Sequence, residues 1–318
     1  MAYNSRAVHI DRALTNLSVK LSNNQTVGSV LFPSIPVMKQ SDKYYVFGNE
    51  NWLPQSDLRA PAAVAGEIPG LARSIESYYA EEHALQIRVT DEERANADSP
   101  IRPDMDATEV VVDRVMLVKE RAIQQMVTND GNYATNHSIN LADTSTQWSV
   151  STTNPFADIE TGIAQIHSSI FMEPNVMILP YQVLSSLKHN AVFIERTKYT
   201  RPDTMARQLI GSLSGISNIQ VPGVGYNSAK PGLSESLGYI WPNICLLAYV
   251  NPRPGHRQSS FGYEFTWRNN NLTHMVDRWR DEPTKSDIIR YSTAYDLKFI
   301  TKNGSGLTTA GYLILSTI

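Results

Sequence analysis

Among 318 residues there is a single cysteine, Cys245, and no apolar run approaches the ~18 residues that a membrane-spanning helix needs. One thiol excludes an intrachain disulfide and a thiolate metal cluster. Its setting, Ile244-Cys245-Leu246-Leu247, predicts a buried and inert side chain. Charge of either sign is scarce in excess: 28 Lys and Arg stand against 31 Asp and Glu, a net of −3. That balance argues against affinity built on a general attraction to phosphate, so any nucleic acid is expected to be held weakly. The opening MAYNSRAVHIDRAL lacks the apolar core of a signal peptide, and the sequons at Asn16, Asn24, Asn136 and Asn271 then carry no information. The expectation is a soluble cytosolic product with no membrane partner.

Catalytic signatures are missing too. Gly211-Ser212-Leu213-Ser214-Gly215 has leucine where a nucleophile elbow needs serine. Gly223-Val224-Gly225 lacks the third glycine of a dinucleotide loop, and no Walker lysine follows a glycine run. The seven histidines, at 9, 83, 137, 167, 189, 256 and 274, show neither H-x-x-x-H spacing nor an adjacent pair. The carboxylates at Asp91 to Glu93 and at Asp104, Asp106 and Glu109 read as a solvated turn and helix N-terminal charge. No catalytic, metal or cofactor site is assigned, and no cofactor is expected.

What is present is ordinary core material, 42% hydrophobic and 9% aromatic, enough for two lobes. Its organising stretch is Pro103 to Asn129. Pro103 suits a helix entry, Asp106 and Glu109 have capping-box spacing, and Asn129-Asp130-Gly131 supplies a stop. Val111, Val115, Val118, Ala122 and Met126 step by three and four, flanked by Val112, Met116, Ile123 and Val127. Asp113, Arg114, Glu120, Arg121, Gln124 and Gln125 leave a narrow polar strip, so the helix is expected to be buried along most of its length. About 25 residues at 1.5 Å each make a rod of roughly 37 Å.

Residues 1–40 are polar and Asn/Ser-rich, broken by Pro33 and Pro36, and read as an arm laid over its own chain or a neighbour's. Lys43 to Phe47 is strand-like, and Leu85, Ile87 and Val89 alternate with polar residues, so the two could pair as a long hairpin. Between them Gly48 to Arg73 carries Pro54, Pro61, Gly66, Pro69 and Gly70, and a loop of that length suggests contact with another surface. From 155 to 250, helix-like stretches alternate with the short apolar strands Val176 to Leu179, Asn218 to Val221 and Ile244 to Val250, a mixed α/β lobe. Beyond it, alternation at Phe261, Tyr263, Phe265, Ile289 and Tyr291 predicts long antiparallel strands. Asn303-Gly304 predicts a hairpin turn into the C-terminal strand. The lobe is therefore an insertion between an early hairpin and helix and the last sixty or so residues.

Two charged stretches stand out. Arg196, Lys198, Arg201 and Arg207, with Tyr199, form a basic, aromatic-bearing segment that could touch nucleic acid, though Glu195 and Asp203 interrupt it and favour plain surface. Asp277, Arg278, Arg280, Asp281, Glu282, Lys285, Asp287 and Arg290 alternate in sign, which suits ion pairing with a like neighbour or an ordinary surface.

Three stretches carry a resemblance: LFPSIPVMKQSDKYYVF, NAVFIERTKYTRPDTMARQLIGSLSGISNIQVPGVGYNSA, and ICLLAYVNPRPG followed by SFGYEFTW. In their order over the whole chain they resemble the major capsid proteins of tailed double-stranded-DNA phages, whose fold is shared with encapsulins and the herpesvirus capsid floor. The resemblance implies an α+β tailed-phage capsid fold. Its parts would be an N-terminal arm (1–40), an extended two-stranded loop (41–95), a peripheral domain first part with its spine helix (96–154, helix 103–129), an inserted axial domain (155–250), and a C-terminal peripheral part (251–318). It implies homo-hexamers and pentamers of an icosahedral shell, with the loop over the adjacent subunit. Contact candidates are Tyr44, Tyr45, Phe47, Trp52, Arg59, Arg73, Tyr78 and Tyr79, some of which could pack within the hairpin instead, together with Asp277, Arg278, Arg280, Asp281 and Glu282. Implied partners are portal and scaffolding proteins, a possible decoration protein, and packaged double-stranded DNA touched non-specifically. Since no long helical segment precedes the arm, the scaffold is expected to be a separate protein. No lysine–asparagine crosslink motif is found near Lys43. The product would be assembled in the host bacterial cytoplasm and end in the virion. The alternatives are an encapsulin-like nanocompartment shell and an α+β enzyme whose site forms only on folding.

Overall fold

The computed structural model describes residues 26–46, 54, 57–62, 64–67, 74–98, 101–197, 206–230, 232–255, 258–268 and 273–318. Expectations for the arm up to residue 25, for Phe47, Trp52, Arg73, Lys198 and Arg201, and for the Arg196 side chain lie outside the described residues.

In chain order the first elements are α1 (Gly28–Leu31), β1 (Ser34–Val37), β2 (Ser41–Val46), β3 (Ser74–Tyr79), β4 (Glu81–Thr90), α2 (Asp91–Asn96) and α3 (Pro103–Val127). Next come β5 (Ser138–Asn140), α4 (Pro155–Ile170), β6 (Val176–Ile178), α5 (Tyr181–His189), α6 (Ala191–Thr197), α7 (Ala206–Ser214) and β7 (Asn218–Gln220). The chain ends through β8 (Gly225–Asn227), β9 (Leu237–Tyr239), β10 (Ile244–Ala248), β11 (Gly262–Trp267), β12 (His274–Asp281), β13 (Ser286–Phe299) and β14 (Gly311–Leu315).

One five-stranded sheet is built on β13. Tyr295 is paired with both Thr266 of β11 and Glu81 of β4, so those strands lie on opposite edges of β13. Along one edge β11 and then β12 follow each other antiparallel, while β4 takes the other edge for ten residues. β1 adds to β11 in parallel. The second sheet, in the order β5-β14-β10-β6-β7, has the wholly buried Ile244–Ala248 at its centre. Cys245 lies there fully buried, and burial pushes its thiol far above the ordinary range. Helix α4 covers this sheet closely because residue 162 is glycine: a Cβ there would meet Tyr312 Cδ1 at 2.6 Å and Leu247 Cδ1 at 2.7 Å. Phe32, Phe261, Phe299 and Tyr133 join the two sheets in one aromatic cluster, with Phe261 and Phe299 edge to face at 5.1 Å.

Four sequence expectations are corrected by these contacts. The strand at 41–46 pairs with β3, not with 85–89, because β4 is taken by β13, where Val89 and Ile87 find Ala107 and Ile289. The strand after Asn303 does not return along β13. The turn forms, with Gly306 N–H donating to the Asn303 carbonyl, but the apolar β14 runs into the second sheet between β10 and β5. The long helix starts at Pro103, with Asp106 reaching back to the Arg102 N–H at 3.3 Å. The capping box sits one helix earlier, between Thr90 and Glu93.

The fourth correction concerns burial. α3 is not buried along most of its length: Val110, Met116 and Val118 are exposed, and Glu120 is inside. At about 100° per residue, the buried set Ala107, Val111, Val115 and the buried set Glu120, Ile123, Val127 point roughly 150° apart. The first half lies on the β13 sheet against Tyr291 and Ile289, and the second half enters the main core. A helix that changes its buried face midway reads in sequence as apolar nearly all round.

Candidate intersubunit surfaces

Strands β2 and β3 form a hairpin whose period of two sorts its residues onto two faces. Tyr44 and Tyr78 turn inward, with ring centroids 5.2 and 4.8 Å from Phe265. The Tyr44 hydroxyl donates to Glu76 at 2.6 Å, and the Tyr78 hydroxyl donates to the Lys39 carbonyl at 3.1 Å. Lys302 Nζ reaches the same Glu76 at 2.7 Å. Burial works to raise the Glu76 carboxyl, but Lys302 and Tyr44 outweigh it and hold the group below its ordinary range. These two tyrosines thus pack within the chain. Tyr45 and Tyr79 face outward with Ile75, all three more than half exposed. Arg59 is exposed as well, beside Leu58, which is 91% exposed.

The mixed-charge stretch is engaged inside the chain. Arg280 grips Asp91 with both guanidinium arms at 2.6 Å. Arg94 reaches Asp104 at 2.7 Å and Asp287 at 2.9 Å, and Arg278 also bonds Asp287. Asp277 meets Arg290 directly across β12 and β13 at 2.6 Å, and Asp281 lies 3.3 Å from Arg88. Glu282 stays 80% exposed on the turn. The Arg278 guanidinium holds the Asp287 carboxyl below its usual range, and Arg280 does the same for Asp91. The network ties α2 and the start of α3 to β12 and β13. The basic stretch is described only at its end, where Arg207 is exposed on α7.

The residue that sequence reasoning misplaced is Glu120. Its carboxyl accepts from the Val27 and Gly28 N–H groups at 3.0 Å each and from the Trp241 indole at 2.8 Å, joining the start of α1, the long helix and the loop before β10. Gly28 leaves room for it, since a Cβ there would meet Glu120 Oε2 at 2.7 Å. Flanked by Lys119 and Arg121, Glu120 reads in sequence as part of the polar strip and gives no signal of its burial.

His137 Nε2 lies 2.9 Å from Ser169 Oγ, and Nδ1 bonds the Gly311 carbonyl at 3.0 Å. A carbonyl only accepts, so the neutral ring carries its proton on Nδ1 and accepts the serine hydroxyl. The ring is 3% exposed and burial holds its pKa down, an arrangement that ties β14 to α4. Among the described residues no group of three His, Cys, Asp or Glu side chains could hold a metal ion. Among them, too, no helix is long and apolar enough to cross a membrane.

No family model matches the chain. The chain is 25% identical over 287 residues to the major capsid protein of Burkholderia phage BcepMu, covering 88% of this chain and 90% of that one. A solved structure of a phage-related protein from Bordetella bronchiseptica RB50 superposes with a TM-score of 0.70 at 26% identity, covering 93% of each chain. The capsid structure of Cyanophage P-SCSP1u superposes at 0.58, with 11% identity over 90% of this chain and 86% of that one. The SrpI encapsulin of Synechococcus elongatus PCC 7942 does so at 0.52, with 10% identity over 99% and 95%, a likeness of fold alone. Along 88% of its length the chain is thus similar to a phage major capsid protein, and it shares the fold of solved phage capsid structures.

Proposed function

We propose that this chain is the structural subunit of a phage head, assembling with copies of itself into hexamers and pentamers of an icosahedral shell around double-stranded DNA. The observation that carries the reading is the likeness to a phage major capsid protein over 88% of the chain. The hairpin supports it physically. Its inner face is anchored on Phe265, while Ile75 and Tyr79 on the outer face are more than half exposed, as an apolar surface that meets a neighbour would be. A contact between two different patches of identical chains closes into rings, and rings in slightly different settings tile a shell.

In this reading 1–40 is an arm, 41–95 the extended loop, 96–154 and 251–318 the peripheral domain, and 155–250 the axial domain, whose sheet borrows β5 and β14 from either side. The net charge of −3 suits a lining that touches packaged DNA weakly and non-specifically, with Arg196, Lys198, Arg201 and Arg207 as its candidate contacts. Portal and scaffolding proteins are the expected partners, with a possible decoration protein. Assembly would take place in the host bacterial cytoplasm, and the finished chain would reside in the virion. The subunit would act by assembly and not by catalysis.

The encapsulin likeness motivates a second reading, a shell around protein cargo. The test is the particle size of the purified chain, with and without a scaffolding protein, by sedimentation velocity and electron microscopy. Shells, or capsomers that convert to shells, support the reading, and their contents separate DNA from protein cargo. A lasting monomer or dimer under all conditions overturns both.

A further inference from the structure

We infer that Asn303 is a site of chemical modification, where the side-chain amide closes on the Gly304 backbone nitrogen, releases ammonia, and leaves aspartate and isoaspartate. The inference concerns the covalent chemistry of one turn and does not depend on the shell-subunit reading. Asn303-Gly304 is the only Asn-Gly pair in the sequence. In the step, the Gly304 nitrogen passes its proton to solvent base and bonds to Asn303 Cγ, and the Cγ–Nδ2 bond breaks as Nδ2 leaves as ammonia. Water then opens the cyclic imide. Breaking the bond from the Gly304 nitrogen to Cγ gives aspartate. Breaking its bond to the main-chain carbonyl carbon gives isoaspartate, in which the chain runs through Cβ and Cγ.

The turn presents every reacting group. Gly304 is exposed, its N–H has no acceptor among the described residues, and a Cβ there would meet nothing within 4 Å, so nothing shields the nitrogen. Asn303 Oδ1 accepts from the Ser305 and Leu307 N–H groups at 3.0 Å each. Those two donors already point at the oxygen on which charge grows as Cγ is attacked. The departing Nδ2 has no partner among the described residues. The turn is held without it, the Asn303 N–H donating to the Leu307 carbonyl and the Gly306 N–H to the Asn303 carbonyl, both at 2.9 Å. Other asparagines with a bonded side-chain oxygen lack one of these groups. Asn227 Oδ1 accepts from Ala229 and Ser236, but the Ser228 nitrogen that would attack is engaged, donating to the Ser236 carbonyl at 2.9 Å. Asn251 is followed by Pro252, whose nitrogen carries no hydrogen. Asn190 is 2% exposed, and its amide nitrogen is pinned by the Trp148 and Val150 carbonyls at 3.0 and 3.1 Å.

The turn is anchored on both sides. Lys302 before it bonds Glu76 at 2.7 Å in the β2–β3 hairpin, and Thr308 after it donates to the Asn132 carbonyl at 2.9 Å and accepts from the Ala134 N–H at 3.0 Å. Aspartate keeps an acceptor for both turn donors, now with a full charge. Isoaspartate lengthens the main chain by one carbon between the two anchors, and so loosens the joint of the hairpin and the entry to β14.

The test follows purified full-length chain in mildly alkaline buffer by peptide mass mapping, with isoaspartate tagged by protein isoaspartyl methyltransferase. The mass gain of NH2 replaced by OH is expected at Asn303 before any other asparagine of the described residues, with isoaspartate in the same peptide and a rate that rises with pH. Gly304 lies outside the left-handed region and has open space beside it, so Gly304→Ala is expected to fold as the parent does. Its methyl crowds the nitrogen and is expected to slow the gain about tenfold. Asn303→Asp, the product made directly, is expected to keep the urea midpoint of fresh chain, while the midpoint of aged chain falls as isoaspartate accumulates. No gain at Asn303, an earlier gain at another described asparagine, or an equal rate in Gly304→Ala overturns the inference, as does aspartate formed without isoaspartate. Each of these outcomes leaves the shell reading standing, and failure to form shells leaves this inference standing.

Discussion

Glu120 is where one side chain holds the most structure together. Replacing it with alanine strands two backbone N–H groups and the Trp241 indole inside the core. At about 1–3 kcal/mol for each buried donor left unsatisfied, Glu120→Ala is expected to cost at least ~3 kcal/mol, read as a lower urea midpoint. Glu120→Gln, which keeps one acceptor, is expected to lose less. His137 gives a pH dependence. Burial lowers its folded pKa, so the unfolded chain takes up a proton near the ordinary value of about 6.5 that the folded chain refuses. The contribution is complete above that pH and is lost as pH falls through and below it. The urea midpoint of the wild type is expected to drop between pH 7.5 and pH 5.5, and that drop to shrink in His137→Gln.

At the scale of the element, α3 works as a beam with two seats. Its first half lies on the β13 sheet through Val111 and Val115, and its second half enters the core through Ile123 and Val127. Two apolar residues five positions apart should therefore respond differently to truncation. Ile123→Ala empties a fully buried site and is expected to cost about 2–5 kcal/mol in urea unfolding of the unassembled chain. Val118→Ala, at an exposed position, is expected to stay within about 0.5 kcal/mol of wild type. Equal losses at both would contradict the change of face. Helix α4 is seated by Gly162, where an added methyl must displace Tyr312 or Leu247, so Gly162→Ala is expected to destabilise by about 1–3 kcal/mol.

At the scale of the molecule, the two sheets share an aromatic joint, and the hairpin is anchored on the first of them by Tyr44 and Tyr78 against Phe265. Removal of residues 53–73 is expected to leave the second sheet and its helices folded, with the circular dichroism and unfolding midpoint of the parent, and to abolish shells in sedimentation velocity. Normal shells from the deletion would show that the loop is not an assembly surface. The ion-pair network at the other end of β13 offers a contrast. Its arginines and aspartates are satisfied within the chain, and exposed pairs are weak and screened. Raising salt to about 1 M is therefore expected to loosen α2 and the start of α3 in hydrogen exchange while leaving the core around β10 protected.

Periodicity and punctuation in the sequence determined much of this protein by themselves. Pro103 and Asn129 bracket the long helix, Ile244 to Ala248 is a central buried strand, and the lone Cys245 is inert because an unbroken apolar run leaves it nowhere to go but the core. The order of such elements also carried the likeness to capsid proteins. Only tertiary structure decided which strand pairs with which, because strand partners are chosen by competition across the whole chain. β4 left the hairpin for a ten-residue ladder with β13, and β14 passed its own turn to enter the second sheet. Tertiary structure also turned α3 midway, since a helix shared by two cores satisfies two apolar stripes that overlap in sequence. The candidate surfaces divide the same way. Sequence named the aromatics of the hairpin, but only the alternation of a folded strand put Tyr44 and Tyr78 against Phe265 and left Tyr45 and Tyr79 more than half exposed.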